Sequence, residues 1–163
     1  KRIHIVCHGQ AIHNVQRGYP KRDPPLTAHG FSEAATMVLP FKPDLIISSP
    51  MSRAIQTAQI AFCHILQGPA AVPLTIWPDL REAHDAICNK GVPRSALIEI
   101  FPNLDFSLCM EEWDYEPHSD GTALEQAERV KAALWKCDEK DIVIVSHQEF
   151  ILYLVGGPQF TNC

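Results

Sequence analysis

His8, Arg53, Glu82 and His147 are spread over most of a 163-residue chain, yet each comes directly after a short apolar run that reads as a β-strand, or within one helical turn or a few residues of its end. These residue types, brought together, have a definite chemistry. An imidazole at a strand end serves as nucleophile or general base. A guanidinium offers a planar fork matched to phosphate or carboxylate oxygens. Arg53 also falls in the first turn of a predicted helix, where backbone N–H groups bind the same anion. A glutamate beside such a site donates a proton to a leaving oxygen once burial raises its pKa. Together the four fit metal-independent phosphoryl transfer through a phosphohistidine.

The elements that must position them can be read along the chain. The β-branched run 3–6 is a buried strand ending at Cys7-His8-Gly9, and residues 18–30 are a Gly/Pro-rich loop. A helix is expected at about 31–39, after Gly30, with Pro40 and Pro43 stopping it. A second strand covers 44–48. Ser49 then reads as an N-cap with Pro50 at the first helical position, opening an amphipathic helix in which Ile55, Ala58, Phe62 and Ile65 or Leu66 share a face. Residues 72–77 form a third strand, with Arg81 and Glu82 following it. The span 83–121 is irregular apart from a short helix near 94–101. Thr122 and Glu125 suggest a capping box for a helix over 122–136, with Leu124, Ala127, Val130 and Leu134 facing inward. A fourth strand, 141–145, leads to His147 and a last helix near 149–154. Alternating strands and helices predict an α/β three-layer sandwich, its central sheet mostly parallel with helices on both faces. Ligands bind such sheets beyond the carboxyl ends of the strands. The chain reads as a single domain over 1–163, with a pocket-rim insertion at about 83–121.

Composition narrows the function classes. Fourteen Lys and Arg against 19 Asp and Glu give a formal charge of −5. That balance, without a basic cluster, argues against nucleic acid as a partner. A hydrophobic content of 46% excludes a disordered chain, and no apolar run is long enough to span a bilayer. Cys7, Cys63, Cys88, Cys109, Cys137 and Cys163 are scattered, with no CxxC pair and no leader-like start, so reduced thiols in the cytoplasm are expected. His13, His29, His84 and His118 have no zinc-ligand spacing with cysteine. His4 and His64 read as structural.

His8-Gly9 with Asn14 six residues on, Pro25-Leu26-Thr27-x-x-Gly30, the block Ser49-Pro50-Met51-Ser52-Arg53-Ala54-Ile55-Gln56-Thr57-Ala58, Leu80-Arg81-Glu82 and Val145-Ser146-His147 occur in that order. This series resembles the histidine phosphatase superfamily, in its phosphoglycerate-mutase-like branch and particularly its fungal members. The match runs from residue 3 to about 155 and returns at Phe160-Thr161-Asn162-Cys163. The resemblance implies that His8 is the phosphorylated nucleophile and Glu82 the proton donor. It implies that Arg53 and His147 clamp the phosphoryl oxygens, that Asn14 adds a hydrogen bond, and that no metal or organic cofactor takes part. The implied partner is a small molecule, a phosphate ester or another anion.

Three departures stand out. Cys7 replaces the arginine of the family's Arg-His-Gly, which removes one or two charge-assisted hydrogen bonds of about 1.5–3 kcal/mol each. In the transition state that loss slows the reaction roughly ten- to ten-thousand-fold. Gln148 follows His147 where the family has Gly, placing a side chain at the pocket mouth. The sequence stops at Cys163, where relatives continue into a further strand, so an incomplete sheet edge is expected. Cys7 also admits other readings: an inert small hydrophobe, or a reactive thiol lowered in pKa by Arg53 and the histidines. Two further functions remain open at this stage. One is acid–base chemistry by His8, His147 and Glu82 on a non-phosphorylated carboxylate or enol metabolite, as in small-molecule pathways; the other is a non-catalytic anion-binding module. Phe106, Trp113 and Tyr115, lying among Glu111, Glu112, Asp114, Glu116 and Asp120, are expected either to form a negative, aromatic rim or to anchor a surface loop.

Overall fold

The computed structural model describes residues 1–115 and 117–156. Glu116, Cys163, the Phe160–Cys163 match and the expected sheet edge there lie outside them. Four strands, β1 (Arg2–Cys7), β2 (Leu45–Ser48), β3 (Leu74–Ile76) and β4 (Asp141–Ser146), form a sheet in the order β1-β4-β2-β3. Every neighbouring pair is parallel. The helices are α1 (Ile12–Val15), α2 (Ala28–Thr36), α3 (Ser52–Ala61), α4 (Arg94–Ile100), α5 (Asp120–Lys136) and α6 (Gln148–Val155). No helix among the described residues is long and apolar enough to cross a membrane.

Alternation along the strands makes the three layers. Leu45, Ile47, Ile142 and Ile144 point to one face, where they pack with Ala127, Val130 and Leu134 of α5 and Phe150 and Leu154 of α6. Ile46, Val143 and Val145 point to the other face and meet Ala54, Ala58 and Ala61 of α3. Both sides of β2 and β4 are therefore covered, which is why these strands read as unbroken apolar runs. Each fully buried Ile or Val contributes about 1.5–3 kcal/mol over leaving it in water.

Several expected boundaries move, each for a local reason. The second helix starts before Gly30, because the Thr27 hydroxyl accepts the Gly30 N–H at 3.1 Å and caps Ala28–Thr36. It ends at Thr36, so Leu39 lies beyond it. Ser49 and Pro50 precede α3 without capping it. Met51 is the cap position, and the carboxylate of Asp23 takes the N–H of Ser52 at 2.8 Å. The strand expected over 72–77 is only Leu74–Ile76. The capping box of α5 uses Ser119 and Thr122 instead of Thr122 and Glu125. With the helix phase set by Ala123, Ala127, Val130 and Leu134, Leu124 faces solvent.

Candidate active site

The parallel register builds the site. Cys7 lies opposite Ser146, so β1 and β4 deliver His8 and His147 at the same height, with ring centroids 5.2 Å apart. Ser48 lies opposite Val145 on the next strand, which sets the Ser49 hydroxyl 2.8 Å from His147 Nε2. Two residues into α3, Arg53 reaches back with no exposed surface. Its Nε donates to His8 Nε2 at 3.1 Å, Nη1 to the Cys88 carbonyl at 3.2 Å, and Nη2 to Asn89 Oδ1 at 3.1 Å. Beyond β3, Glu82 is held by the N–H groups of Ala83 at 2.8 Å and Phe150 at 3.0 Å, both to Oε1. The loop after His8 is pressed against α2: a Cβ on Gly30 would sit 2.0 Å from the Gln10 carbonyl, so only glycine fits there.

Proton positions follow from these contacts. Arg53 can only donate, so His8 Nε2 presents its lone pair and the ring proton sits on Nδ1, 2.7 Å from the Gly9 carbonyl. Burial, then the nearby Arg53 charge, lowers the His8 pKa to about 3. The ring is thus neutral, as a nucleophile must be. His147 is pushed well below the ordinary histidine value, first by burial and then by Arg53 and His8. Burial raises the Glu82 carboxyl in spite of its two N–H donors and Arg53, which favours a proton held ready for a leaving group. The Cys7 thiol is pushed up to about 11, mainly by burial and then by Glu82. This contradicts the reading of Cys7 as an activated thiolate.

A cavity of about 740 Å³ opens over these groups. Cys7, His8, Asn14, Glu82 and Gln148 line it, while Arg53 and His147 lie buried behind the lining. The Asn14 side chain is already engaged, its Oδ1 accepting the Ala11 N–H at 2.8 Å. His13, Glu33, His84 and Asn89 also line the cavity, with Glu149 at its mouth. Sequence reasoning assigned none of these to the site. His13 was accessible from its place next to Asn14; Asn89 carries no signal, since only the folded loop brings it to Arg53. The lining holds Glu33, Glu82 and Glu149 but no Lys or Arg among the described residues. No cluster of His, Cys, Asp and Glu among them is arranged to hold a metal ion.

Packing decides two features of the surroundings that the sequence left open. Arg81, although it follows β3 beside Glu82, turns away into a buried pair with Asp114 at 3.2 Å, stacked 4.1 Å over the Tyr115 ring. Phe106 and Trp113 do not form a rim: they pack with Met51, Ile55, Ile76 and Leu97 in a third core cluster. Segment 84–89 supplies the rim instead. Asp79 bonds Arg129 and Tyr115, and the exposed Asp85 pairs with Lys90. The five described cysteines are free thiols.

Comparison with known proteins shows the family and the fold. The family model described as histidine phosphatase superfamily (branch 1) matches residues 3–157. A Schizosaccharomyces pombe protein named as a probable phosphatase is 30% identical over 162 residues, covering 90% of this chain and 74% of its own length. A phosphoglycerate mutase-like protein of Arabidopsis thaliana is 29% identical over 202 residues, covering 96% and 74%. Among solved structures, the α-ribazole phosphatase of Shigella flexneri superposes with a TM-score of 0.62 at 24% identity, covering 97% of this chain and 81% of that one. A phosphoserine phosphatase of Entamoeba histolytica, in complex with 3-phosphoglyceric acid, superposes with a TM-score of 0.58 at 20% identity, covering 95% and 78%. At those identities the two structures speak for the fold.

Proposed function

The chain belongs to the histidine phosphatase superfamily, and on that premise we propose that it hydrolyses phosphate monoesters through a phosphohistidine on His8. The observation that carries the reading is the contact of Arg53 Nε with His8 Nε2 at 3.1 Å, beside His147. A neutral imidazole with its lone pair on Nε2 thus adjoins a guanidinium suited to phosphoryl oxygens.

The steps balance as follows. His8 Nε2 attacks phosphorus, and the bond from phosphorus to the ester oxygen breaks. Glu82, as the acid, gives its proton to the departing oxygen. As charge builds on the phosphoryl group, Arg53 exchanges its bond to His8 for bonds to the equatorial oxygens. His147, whose buried Nδ1 has no partner among the described residues, donates to another oxygen. In the second half, Glu82 takes a proton from water and the water oxygen attacks phosphorus. The N–P bond then breaks, returning the lone pair to His8 and releasing inorganic phosphate. No metal enters any step.

Release of inorganic phosphate from para-nitrophenyl phosphate tests the reading. The wild-type chain is expected to turn over and His8→Ala to fall to background. A wild type that releases no phosphate from any monoester and forms no phosphoenzyme would overturn it.

A further inference from the structure

The mechanism above leaves His13 without work, although the residue lines the cavity with its ring centroid 5.9 Å from that of His8. Its place is set from two sides. Ala11 bridges to Leu26, and the Ile12 N–H donates to the Pro25 carbonyl at 3.0 Å, so the short turn carrying His13 cannot slide. Its proton position follows from a chain of donors. The Ala11 N–H donates to Asn14 Oδ1 at 2.8 Å, which orients the amide. The remaining Asn14 Nδ2, 3.3 Å from His13 Nε2, can only donate, so Nε2 accepts and the ring proton resides on Nδ1. That Nδ1–H is buried and has no acceptor among the described residues.

His147 repeats the arrangement. The Ser49 hydroxyl accepts the Met51 N–H at 3.2 Å and lies 2.8 Å from His147 Nε2, and the buried Nδ1 of that ring has no partner among the described residues. Buried polar groups are rarely left unpaired in a folded protein. Seven such atoms occur among the described residues, and two of them, on His13 and His147, belong to imidazoles packed around the His8 ring, beside a cavity whose lining holds no Lys or Arg among the described residues. An acceptor-rich ligand supplies what both lack.

We propose that His13 is a phosphoryl-binding residue of this site, donating from Nδ1–H to a phosphate oxygen opposite His147, and that Asn14 is the positioning residue that fixes its tautomer. The proposal rests on the phosphatase reading for its catalytic consequence, but not for phosphate binding itself. Burial and Arg53 lower the His13 pKa to about 4, so the ring enters as a neutral donor. Asn14 thereby acts through His13 and need not touch the substrate.

Calorimetric titration of inorganic phosphate, with KM and kcat for para-nitrophenyl phosphate, separates the possibilities. His13→Phe keeps the ring shape and is expected to weaken phosphate binding roughly 10- to 100-fold, the worth of one hydrogen bond to a charged group. KM should rise in step. His13→Asn, which keeps an N–H donor, is expected to recover part of the loss. Asn14→Ala should weaken binding less than His13→Phe, because the freed imidazole flips between tautomers. It also decides the matter if His13→Phe fails to fold, since unchanged affinity there overturns the role of Asn14 and of His13 with it. Wild-type phosphate affinity in a folded His13→Phe overturns the proposal directly. If the wild type binds phosphate in a His13-dependent way but turns over no monoester, the phosphatase reading fails and this inference stands. If it binds no phosphate, both fall.

Discussion

The Nε–H of Arg53 meets His8 Nε2 across 3.1 Å, so the lone pair suited to attack phosphorus is held, at rest, by the guanidinium suited to receive the phosphoryl oxygens. In the proposed mechanism a substrate phosphate opens that contact by offering the arginine better acceptors, and in doing so frees the nucleophile. The closed contact also accounts for the complete burial of Arg53.

Removing this pivot should be costly. Arg53→Ala deletes two or more charge-assisted hydrogen bonds to the phosphoryl group and is expected to lower kcat/KM roughly a hundred- to ten-thousand-fold. Arg53→Lys should recover little, because an ammonium lacks the planar fork. Steady-state kinetics on para-nitrophenyl phosphate check both; a Lys variant as active as wild type would remove the need for fork geometry.

Position 7 offers the opposite experiment. Cys7 lines the cavity close enough to feel the charges of Glu82 and Arg53. Cys7→Arg adds a guanidinium to a lining that has none among the described residues, and should raise kcat/KM roughly tenfold or more. The native thiol is exposed to solvent, yet with its pKa pushed up to about 11 it should react only slowly with iodoacetamide at neutral pH, as read by mass spectrometry.

The pH dependence has a definite sign. The proposed mechanism needs His8 unprotonated and Glu82 protonated. His8 meets its condition down to about pH 3, whereas Glu82 loses its proton as pH rises through its burial-raised value. The rate should therefore fall as pH rises through that raised value, a limb absent from any residual activity of Glu82→Gln. Stability runs the other way for the histidines. A buried imidazole with a depressed pKa contributes stability that is complete above about pH 6.5 and lost as pH falls toward its folded value. His147, held well below the ordinary histidine value, is expected to lose its contribution as pH falls below about 6.5. His147→Asn should accordingly lose less melting temperature over that fall than wild type.

What the sequence made legible was whatever repeats with the period of an element. The strands before His8, Arg53, Glu82 and His147 are apolar runs, and parallel pairing then forces their ends to one edge. Arg81 and Glu82 show where that logic stops. Both follow β3, but neighbouring residues on an extended chain point to opposite sides, and only the fold shows that Asp114 claims the arginine. Asp114 lies in the irregular span: its i,i+4 spacing to His118 falls outside any helix, and Arg81 and Gly91 share no periodic relation to it. Trp113 was ambiguous between rim and anchor for the same reason. It is an anchor because its ring fills the space a side chain at Gly91 would take, 2.0 Å from where a Cβ would stand. The tautomers of His13 and His147 depend on second partners, Asn14 and Ser49, whose distances no spacing rule contains.

The most direct test is to quench the wild-type chain during turnover of a phosphate monoester and locate the covalent phosphate by mass spectrometry under alkaline conditions. Phosphate on His8, labile to acid and absent from His8→Ala, is the predicted result. Steady turnover with no phosphate on His8, or phosphate carried by another residue, would contradict the account.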